Sequence, residues 1–528
     1  VVNVKRISVV IAVAVIVLCL GVAPGLAASE DAIEESIEAG LAWLAAQQDP
    51  VGGYWGATTC ERVGFTGFAL LKMEDRAYEL GYDSPFDPEY EYASNVDLGF
   101  DYIFNYYNDA GDTDGDGVHE GFFYNSECNY HQTYSTAVAL MAISSSGTPD
   151  RVVDVGSPFA LGKTYKQIAE ECVEWFIEAQ NPDGAWRYYA GEEPSDQSNS
   201  GWVTMGLTYA NVKFGIDIAE VLPGLQSWVN AIQNTDMASP YYGGSMYTVG
   251  GSWENILKTG SLLYQFAMVS TPVTDTNVQA AIGFIENFWN AGIDTGWTDH
   301  RQAMFCMMKG LEAYNVELLD LDGDDVPESD WFDIVSTHLV ETQNLDGSWP
   351  EDYWAGQEAS TAWALLTLER SVIIPVLEVP VDMKPGSCPN SYNVGQKGVL
   401  PAAILSTDEF DVSDIDPATI RLVACDEEDP AAGVAPLRWN YEKVAQPAED
   451  ANCDCEACDE YNCWESAYDG DVGDEYMDLT LKFDSVAVSA YLGDVDPGCM
   501  KIKLVGTLKE EEGGTAFEGC DTLRLLVK

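Results

Sequence analysis

Basic residues are scarce in this sequence. Lys and Arg number 25 against 87 Asp and Glu in 528 residues, a formal charge of −62. Such a surface repels phosphate backbones and anionic lipid, which excludes nucleic-acid binding as a function class. Histidine is rarer still, with four residues, so a histidine at a cavity mouth carries weight. Long apolar runs are nearly absent. The one that stands out, Ile7 to Leu20, follows Lys5 and Arg6 and precedes small residues at Gly25, Ala27 and Ala28. It is short of the ~20 residues of a membrane span and reads as a secretory signal over residues 1–28. The mature chain is expected to be exported, extracellular or associated with the cell surface, and not embedded in a membrane. Cys19 follows Leu18, not the small residue of a lipoprotein signal.

Aromatic residues, by contrast, make up 11% of the chain, which argues for packed domains. Of 13 cysteines, eight follow Pro380, as expected of a disulfide-rich C-terminal domain in an oxidising compartment.

Internal repeats decide the fold class. Gln180-Asn-Pro-Asp-Gly-Ala-Trp186 and Gln343-Asn-Leu-Asp-Gly-Ser-Trp349 share a pattern, with a looser copy from Gln48 to Trp55. Each follows an amphipathic stretch, as in Ile33, Ile37, Leu41 and Leu44, and precedes a more apolar helix rich in small residues. Continuing the alternation predicts first helices near 31–47, 94–107, 164–179, 219–233, 275–290 and 331–342. Second helices are predicted near 64–74, 132–144, 199–213, 253–269, 299–314 and 358–370. The first set is half polar and the second almost wholly apolar, as outer and inner rings require. The expected architecture is multidomain and mainly α: an (α/α)6 toroid over residues 29–370, with an open solenoid as the alternative.

The Gln…Asp-Gly-x-Trp turns and the small-residue inner helices resemble the squalene-cyclase and protein-prenyltransferase repeats of the terpenoid-cyclase superfamily. The resemblance implies a helical toroid whose repeat tryptophans, Trp186 and Trp349, plug the turns. It does not extend to that superfamily's chemistry. Asp322-Gly-Asp324-Asp325 matches a cyclase acid motif, but Val326 and Pro327 follow it, and no prenyltransferase zinc set is visible. No zinc is expected in the toroid. After a linker at 371–380, the segments Asp382 to Asn390, Gly398 to Leu405 and Asp478 to Phe483 resemble a small domain of exported microbial proteins. That resemblance implies an antiparallel β-sandwich over 381–528. Short β-rich runs at 398–405, 419–424, 477–483, 499–507 and 522–527 agree.

Two acidic loops carry metal chemistry. Asp112, Asp114 and Asp116 alternate, with Val118 and Glu120 following; Asp320, Asp322 and Asp324 alternate, with Val326 and Asp330 following. Hard oxygen ligands at alternate positions, a backbone carbonyl and a later acid suit Ca²⁺, here in a structural role. Asp469, Asp471, Asp474 and Asp478 form a less regular third cluster.

Loops within helix pairs emerge at one end of a toroid and carry the aromatic candidates for ligand binding: Trp55, Trp297 and Trp354. His131, Tyr134 and Trp202 lie at inner-helix starts on the same side. Asp299, His300 and Glu254 are the catalytic candidates there, since two carboxylates and a histidine facing one cavity suit acid–base work; Glu358 lies at an equivalent level. Helix capping is the alternative for these residues. Among cysteines, Cys60 and Cys128 are expected to pair, Cys172 and Cys306 to be buried thiols, and Cys499 and Cys520 to join neighbouring strands. Cys453, Cys455, Cys458 and Cys463 are read as disulfide cysteines in preference to a metal knuckle. The functional expectation is an exported protein whose aromatic, acidic cavity mouth binds a carbohydrate or an apolar small molecule. A secreted polysaccharide lyase or hydrolase, and a corrinoid binder of transcobalamin-like architecture, are the alternatives.

Overall fold

The computed structural model describes residues 27–528 apart from 114, 116, 129, 130, 325, 372, 374, 375, 388, 408, 409, 426–432, 445–475, 494, 510–515 and 528. Of the segment 1–28 read as a signal, residues 1–26 lie outside the described residues. So do Asp114, Asp116, Asp325, the cysteines from Cys453 to Cys463, and Asp469, Asp471 and Asp474.

Twelve helices alternate between two rings. The outer helices are α1 (Glu30–Gln47), α3 (Ala93–Phe104), α5 (Tyr165–Glu178), α7 (Leu222–Ile232), α9 (Thr276–Phe288) and α11 (Trp331–Thr342). The inner helices are α2 (Arg62–Glu79), α4 (Gln132–Ser145), α6 (Gln197–Phe214), α8 (Ile256–Met268), α10 (Arg301–Glu312) and α12 (Gln357–Leu368). Each inner helix packs on the next, and α12 packs on α2, so the ring closes and no solenoid end remains. Every residue of α8 is buried, as an inner helix requires, whereas α1 buries only one face. Close approach explains the small residues. A Cβ on Gly260 of α8 would lie 2.5 Å from the Cys306 carbonyl oxygen of α10.

The repeat turns staple this ring. Trp55, Trp186 and Trp349 are buried, and each indole Nε1 donates to a carbonyl near the end of its outer helix: Leu44 at 2.7 Å, Phe176 at 2.8 Å and Leu339 at 2.8 Å. The glutamine of each turn donates twice through Nε2, once to its own turn and once to the next outer helix or its entry. Gln180 bonds the carbonyls of Gly184 and Val221, each at 3.0 Å; Gln343 bonds those of Gly347 and Ser36, each at 2.8 Å, so the last pair is tied to the first. The turn glycine is needed twice over at Gly184. Its φ is +89°, and a Cβ would lie 1.9 Å from the Gly224 carbonyl oxygen. A fourth copy has the staple without the tryptophan: Gln233 bonds the carbonyls of Gly243 and Asn277, and Ser245 stands where Trp is expected.

Three predicted helix limits move, for local reasons. Trp253 has φ +76° and Asn255 caps the first turn by accepting from the Lys258 amide, so α8 starts at Ile256, not 253. Asp299 has φ +61°, which leaves it and His300 outside α10. Residues 219–221 form a 3-10 turn ahead of α7, whose first turn carries Pro223.

Both acidic loops sit on small ribbons. β1 (Tyr107–Asp109) pairs with β2 (Gly121–Phe123) around the first loop, and β3 (Leu318–Leu319) with β4 (Ser329–Asp330) around the second. The Cys60–Cys128 disulfide joins two within-pair loops, and Cys172 and Cys306 are buried thiols.

A second hydrophobic core begins at Val379. Strands β6 (Val381–Met383), β8 (Val399–Ile404), β10 (Arg438–Glu442) and β11 (Asp478–Asp484) form one sheet in the order β10-β11-β8-β6. Strands β5 (Leu377–Glu378), β9 (Arg421–Ala424), β12 (Gly498–Thr507) and β13 (Ala516–Leu526) form the other, ordered β5-β13-β12-β9, with β7 (Ser391–Asn393) also on β13. The expected all-antiparallel pattern needs correction, because β5 and β7 both pair with β13 in parallel. A helix, α13 (Ser485–Leu492), follows β11. The expected Cys499–Cys520 pairing is corrected as well. Register places Cys499 opposite Arg524 and Cys520 opposite Lys503, and the Cys520 sulfur lies 3.0 Å from that of Cys425. Cys499 is disulfide-bonded, whereas Cys520 is not. Among the described residues, no helix is long and apolar enough to cross a membrane.

Candidate functional site

The six inner helices start around a cavity of about 350 Å³. Each contributes from its first turns or from the residue before them, because a closed ring of parallel inner helices brings all its N-termini to one end. The floor is aromatic. Trp202 of α6 and Trp363 of α12 lie with ring planes only 11° apart, 6.4 Å between centroids, and Phe65 and Tyr134 close the sides. The rim carries Trp253 and Trp354, 46% and 56% exposed and packed edge to face at 6.0 Å. Tyr188 and Tyr247 face each other there with hydroxyls 3.0 Å apart. Polar groups interrupt this surface at Glu61, His131, Ser198, Asn199, Asn255, Lys258 and Gln302.

Electrostatics at the cavity follow from burial. Burial lowers the His131 pKa against the opposing pull of Glu61, so its imidazole is neutral near neutral pH. Burial raises that of Tyr134. Lys258 is 3% exposed, and burial pulls its pKa down to about 7, with Glu254 opposing. Glu61 is the sole carboxylate among the described residues of the lining.

The structure sorts the predicted ligand residues. His131, Tyr134, Trp202 and Trp354 line the cavity together. Trp55 does not, being consumed as a repeat plug. Trp297 is buried against Trp289 and His338, at 5.0 and 5.4 Å between centroids.

None of the three catalytic candidates is in the lining, and each has a local partner. Asp352 Oδ1 lies 2.9 Å from His300 Nδ1, while its Oδ2 accepts from the Gln302 amide at 2.8 Å. Burial works to raise the Asp352 pKa, but the hydrogen bond and charge of His300 and two backbone amides outweigh it and hold it low. That pair caps α10. Glu254 accepts from Asn234 Nδ2 at 2.7 Å, and Asp299 lies 3.2 Å from His338 Nε2 on the exposed surface. The lining residues that sequence reasoning missed are chiefly Glu61, Trp253, Lys258 and Trp363. Lys258 did leave a signal, as a lone cation inside an otherwise apolar inner helix.

The acidic loops divide in the same way. Carboxylate oxygens of Asp320, Asp322 and Asp324 lie within 4.8 Å of one another, a spacing that fits one hard cation. Val326 donates its amide to Asp324, and Asp330 is turned away as the N-cap of α11. In the first loop Glu120 is buried and accepts from the Thr113 amide and hydroxyl, and Asp112 accepts from the Gly115 amide. Val118 is exposed.

The inner helices finish at a different concavity, a cleft of about 780 Å³ bordered by Asp75, Tyr78, Glu79, Lys213, Glu369 and Ser371 among others. Several ionisable groups at this end are bonded within the protein. Lys72 pairs with Glu369, Asp75 accepts from Ser371, and Lys309 Nζ donates to Tyr209 at 2.7 Å. Glu74 is buried with neither carboxylate oxygen hydrogen-bonded, and burial holds its pKa well above the usual range.

No family model and no curated protein matches this chain. Among solved structures, two inactive variants of the α-1,6-mannanase GH76A of Salegentibacter sp. HEL1_6, in complex with α-1,6-mannotriose and α-1,6-mannotetrose, are each 11% identical to it. Each comparison covers 64% of this chain and 98% of the other, with a TM-score of 0.42. The fimbrial subunit AggA of Escherichia coli is 15% identical over 29% of this chain and 97% of its own, with a TM-score of 0.13. Scores this low add nothing to the helix packing described above.

Proposed function

We propose that this is an exported protein whose toroid binds a saccharide in the aromatic cavity at the inner-helix starts. The observation that carries the reading is the near-parallel Trp202–Trp363 floor beneath a polar rim. Indole faces stack on the C–H faces of a sugar ring, while the carboxylate of Glu61 and the amides of Asn199 and Gln302 exchange hydrogen bonds with its hydroxyls. A purely apolar ligand would leave those polar groups unanswered. A cavity of this size gives the corrinoid alternative no support. Ca²⁺ is proposed as a structural ion, with Asp320, Asp322 and Asp324 as its best-placed ligands.

A second reading, a polysaccharide lyase or hydrolase, draws on one observation: Glu61, His131 and Tyr134, all able to carry a proton, border the same cavity. A single lining carboxylate does not supply the acid pair of the usual hydrolases, which leaves simple binding as the main reading.

Titrating the mature protein with neutral and charged oligosaccharides, and following tryptophan fluorescence, tests both. Trp354→Ala, at a half-exposed rim position, is expected to weaken binding roughly tenfold with the melting temperature unchanged. Release of reducing ends or of unsaturated products would promote the second reading. A panel in which no saccharide perturbs the fluorescence would remove both.

A further inference from the structure

Three buried lysines interrupt the apolar inner ring, Lys72, Lys258 and Lys309. Two are answered within the protein: Lys72 by Glu369, and Lys309 by the Tyr209 hydroxyl. Lys258 is not. Its Nζ lies 4.4 Å from the centroid of Trp253, and it makes no hydrogen bond or ion pair with any described residue. A buried ammonium without a bonded counter-ion is unfavourable, and the aromatic face and the charge of Glu254 offset only part of that. Lys258 is also the one of the three that lines the aromatic cavity.

We propose that the saccharide held in this cavity is anionic, and that Lys258 takes its carboxylate or sulfate group. This rests on the saccharide reading above. The groups facing the site leave that role to Lys258. Glu254, just before α8, is committed to Asn234. Glu61 stands at the start of α2 and His131 at the start of α4, while burial raises the pKa values of Tyr134 and Tyr247 and keeps both neutral. The strongly acidic exterior does not forbid an anion here, because surface charges beyond about 8 Å are largely screened at physiological salt, whereas a buried contact is screened much less.

The contact has a pH signature. The free amine loses its proton at about 7, and an anion in contact favours the charged form. Above that pH, binding must take up a proton, so affinity falls toward tenfold per pH unit.

The test is calorimetric titration of the mature protein with an oligogalacturonide, its methyl ester, a sulfated oligosaccharide and its desulfated parent. At least one charged ligand is expected to bind about tenfold or more tightly than its uncharged counterpart. The pair that shows the difference tells carboxylate from sulfate. Lys258→Met should abolish the difference between the charged and uncharged members of that pair. Wild-type protein should show the fall in affinity above pH 7, a readout that needs no variant. Equal affinities within both pairs would overturn the anionic assignment and leave the saccharide reading standing. No binding by any of the four would overturn both.

Discussion

Where the inner helices start, the protein leaves a buried lysine and aromatic faces open; where they finish, its buried lysines have partners within the protein. The same helices supply both ends. At the starts, Lys258 and Glu61 face a cavity, and Trp253 and Trp354 are half exposed. At the finish, Lys72, Lys309 and Asp75 are fully engaged by Glu369, Tyr209 and Ser371. A buried charge with an internal partner holds the ring together. A buried charge without one is available to a ligand.

The largest effect expected from this contrast is on stability at the paired end. Glu369→Ala removes the partner of a fully buried lysine and is expected to cost about 3–5 kcal/mol, measured by chemical denaturation. Glu61→Ala, at the open end, should stay within about 0.5 kcal/mol, as for an ordinary surface change. Replacing both Lys72 and Glu369 with apolar residues of similar volume should recover most of the loss. Similar losses for Glu369→Ala and Glu61→Ala would dissolve the distinction.

A smaller effect follows pH and is shared by both ends, since Lys258 and Lys309 both lose their protons at about 7 in the folded chain. Burial pulls the pKa of Lys309 from 10.5 to about 7, with Asp75 and Cys306 opposing. Between those values the unfolded chain holds the proton that the folded chain has released, so stability rises with pH. The rise is roughly 1 kcal/mol per pH unit just above pH 7. Lys309→Met should reduce the slope of wild-type melts in that window by its own share, leaving the contributions of Lys72 and Lys258. An unchanged profile would mean that Lys309 keeps its proton in the folded state.

How much of this was legible in the sequence follows from which interactions are local. The Gln-turn-Trp staples are local, since Gln180, Gly184 and Trp186 make their turn within seven residues. Helix pairing and the two-ring alternation could therefore be read directly. The fourth staple escaped because ten residues separate Gln233 from Gly243 and Ser245 replaces the indole. Strand β10 is exposed along its length and α13 is a short helix inside the β-domain; neither leaves the periodicity that sequence reading relies on. The site was legible in place but not in membership. The inner-helix starts are where the cavity lies, yet Asp299, His300 and Glu254 were chosen by residue type, and capping partners distant in sequence absorb them. His300 meets Asp352 only through the packing of α12 on α10. The better signal was a cation where an apolar helix should have none, at Lys72, Lys258 and Lys309. Sequence alone does not say which of the three lacks a partner.

A remaining effect concerns the two acidic loops, one at each end of the ring. In the loop between α10 and α11, Asp320, Asp322 and Asp324 converge their oxygens. In the loop between α3 and α4, Glu120 is already spent on Thr113. Ca²⁺ that binds only the folded form stabilises by an amount set by its concentration relative to Kd, about 2.7 kcal/mol at a hundredfold excess. In a chain this long that is a rise of several degrees at most, roughly 2–4 °C per kcal/mol for domains of 150–250 residues. The Ca²⁺-dependent rise, measured against EDTA, should be lost in Asp322→Asn and largely retained in Asp112→Asn. Equal losses would place the ion at both ends, and loss only in Asp112→Asn would move it to the open end. No Ca²⁺ shift in the wild type would reduce both loops to solvated turns, held by the Asx hydrogen bonds they already make.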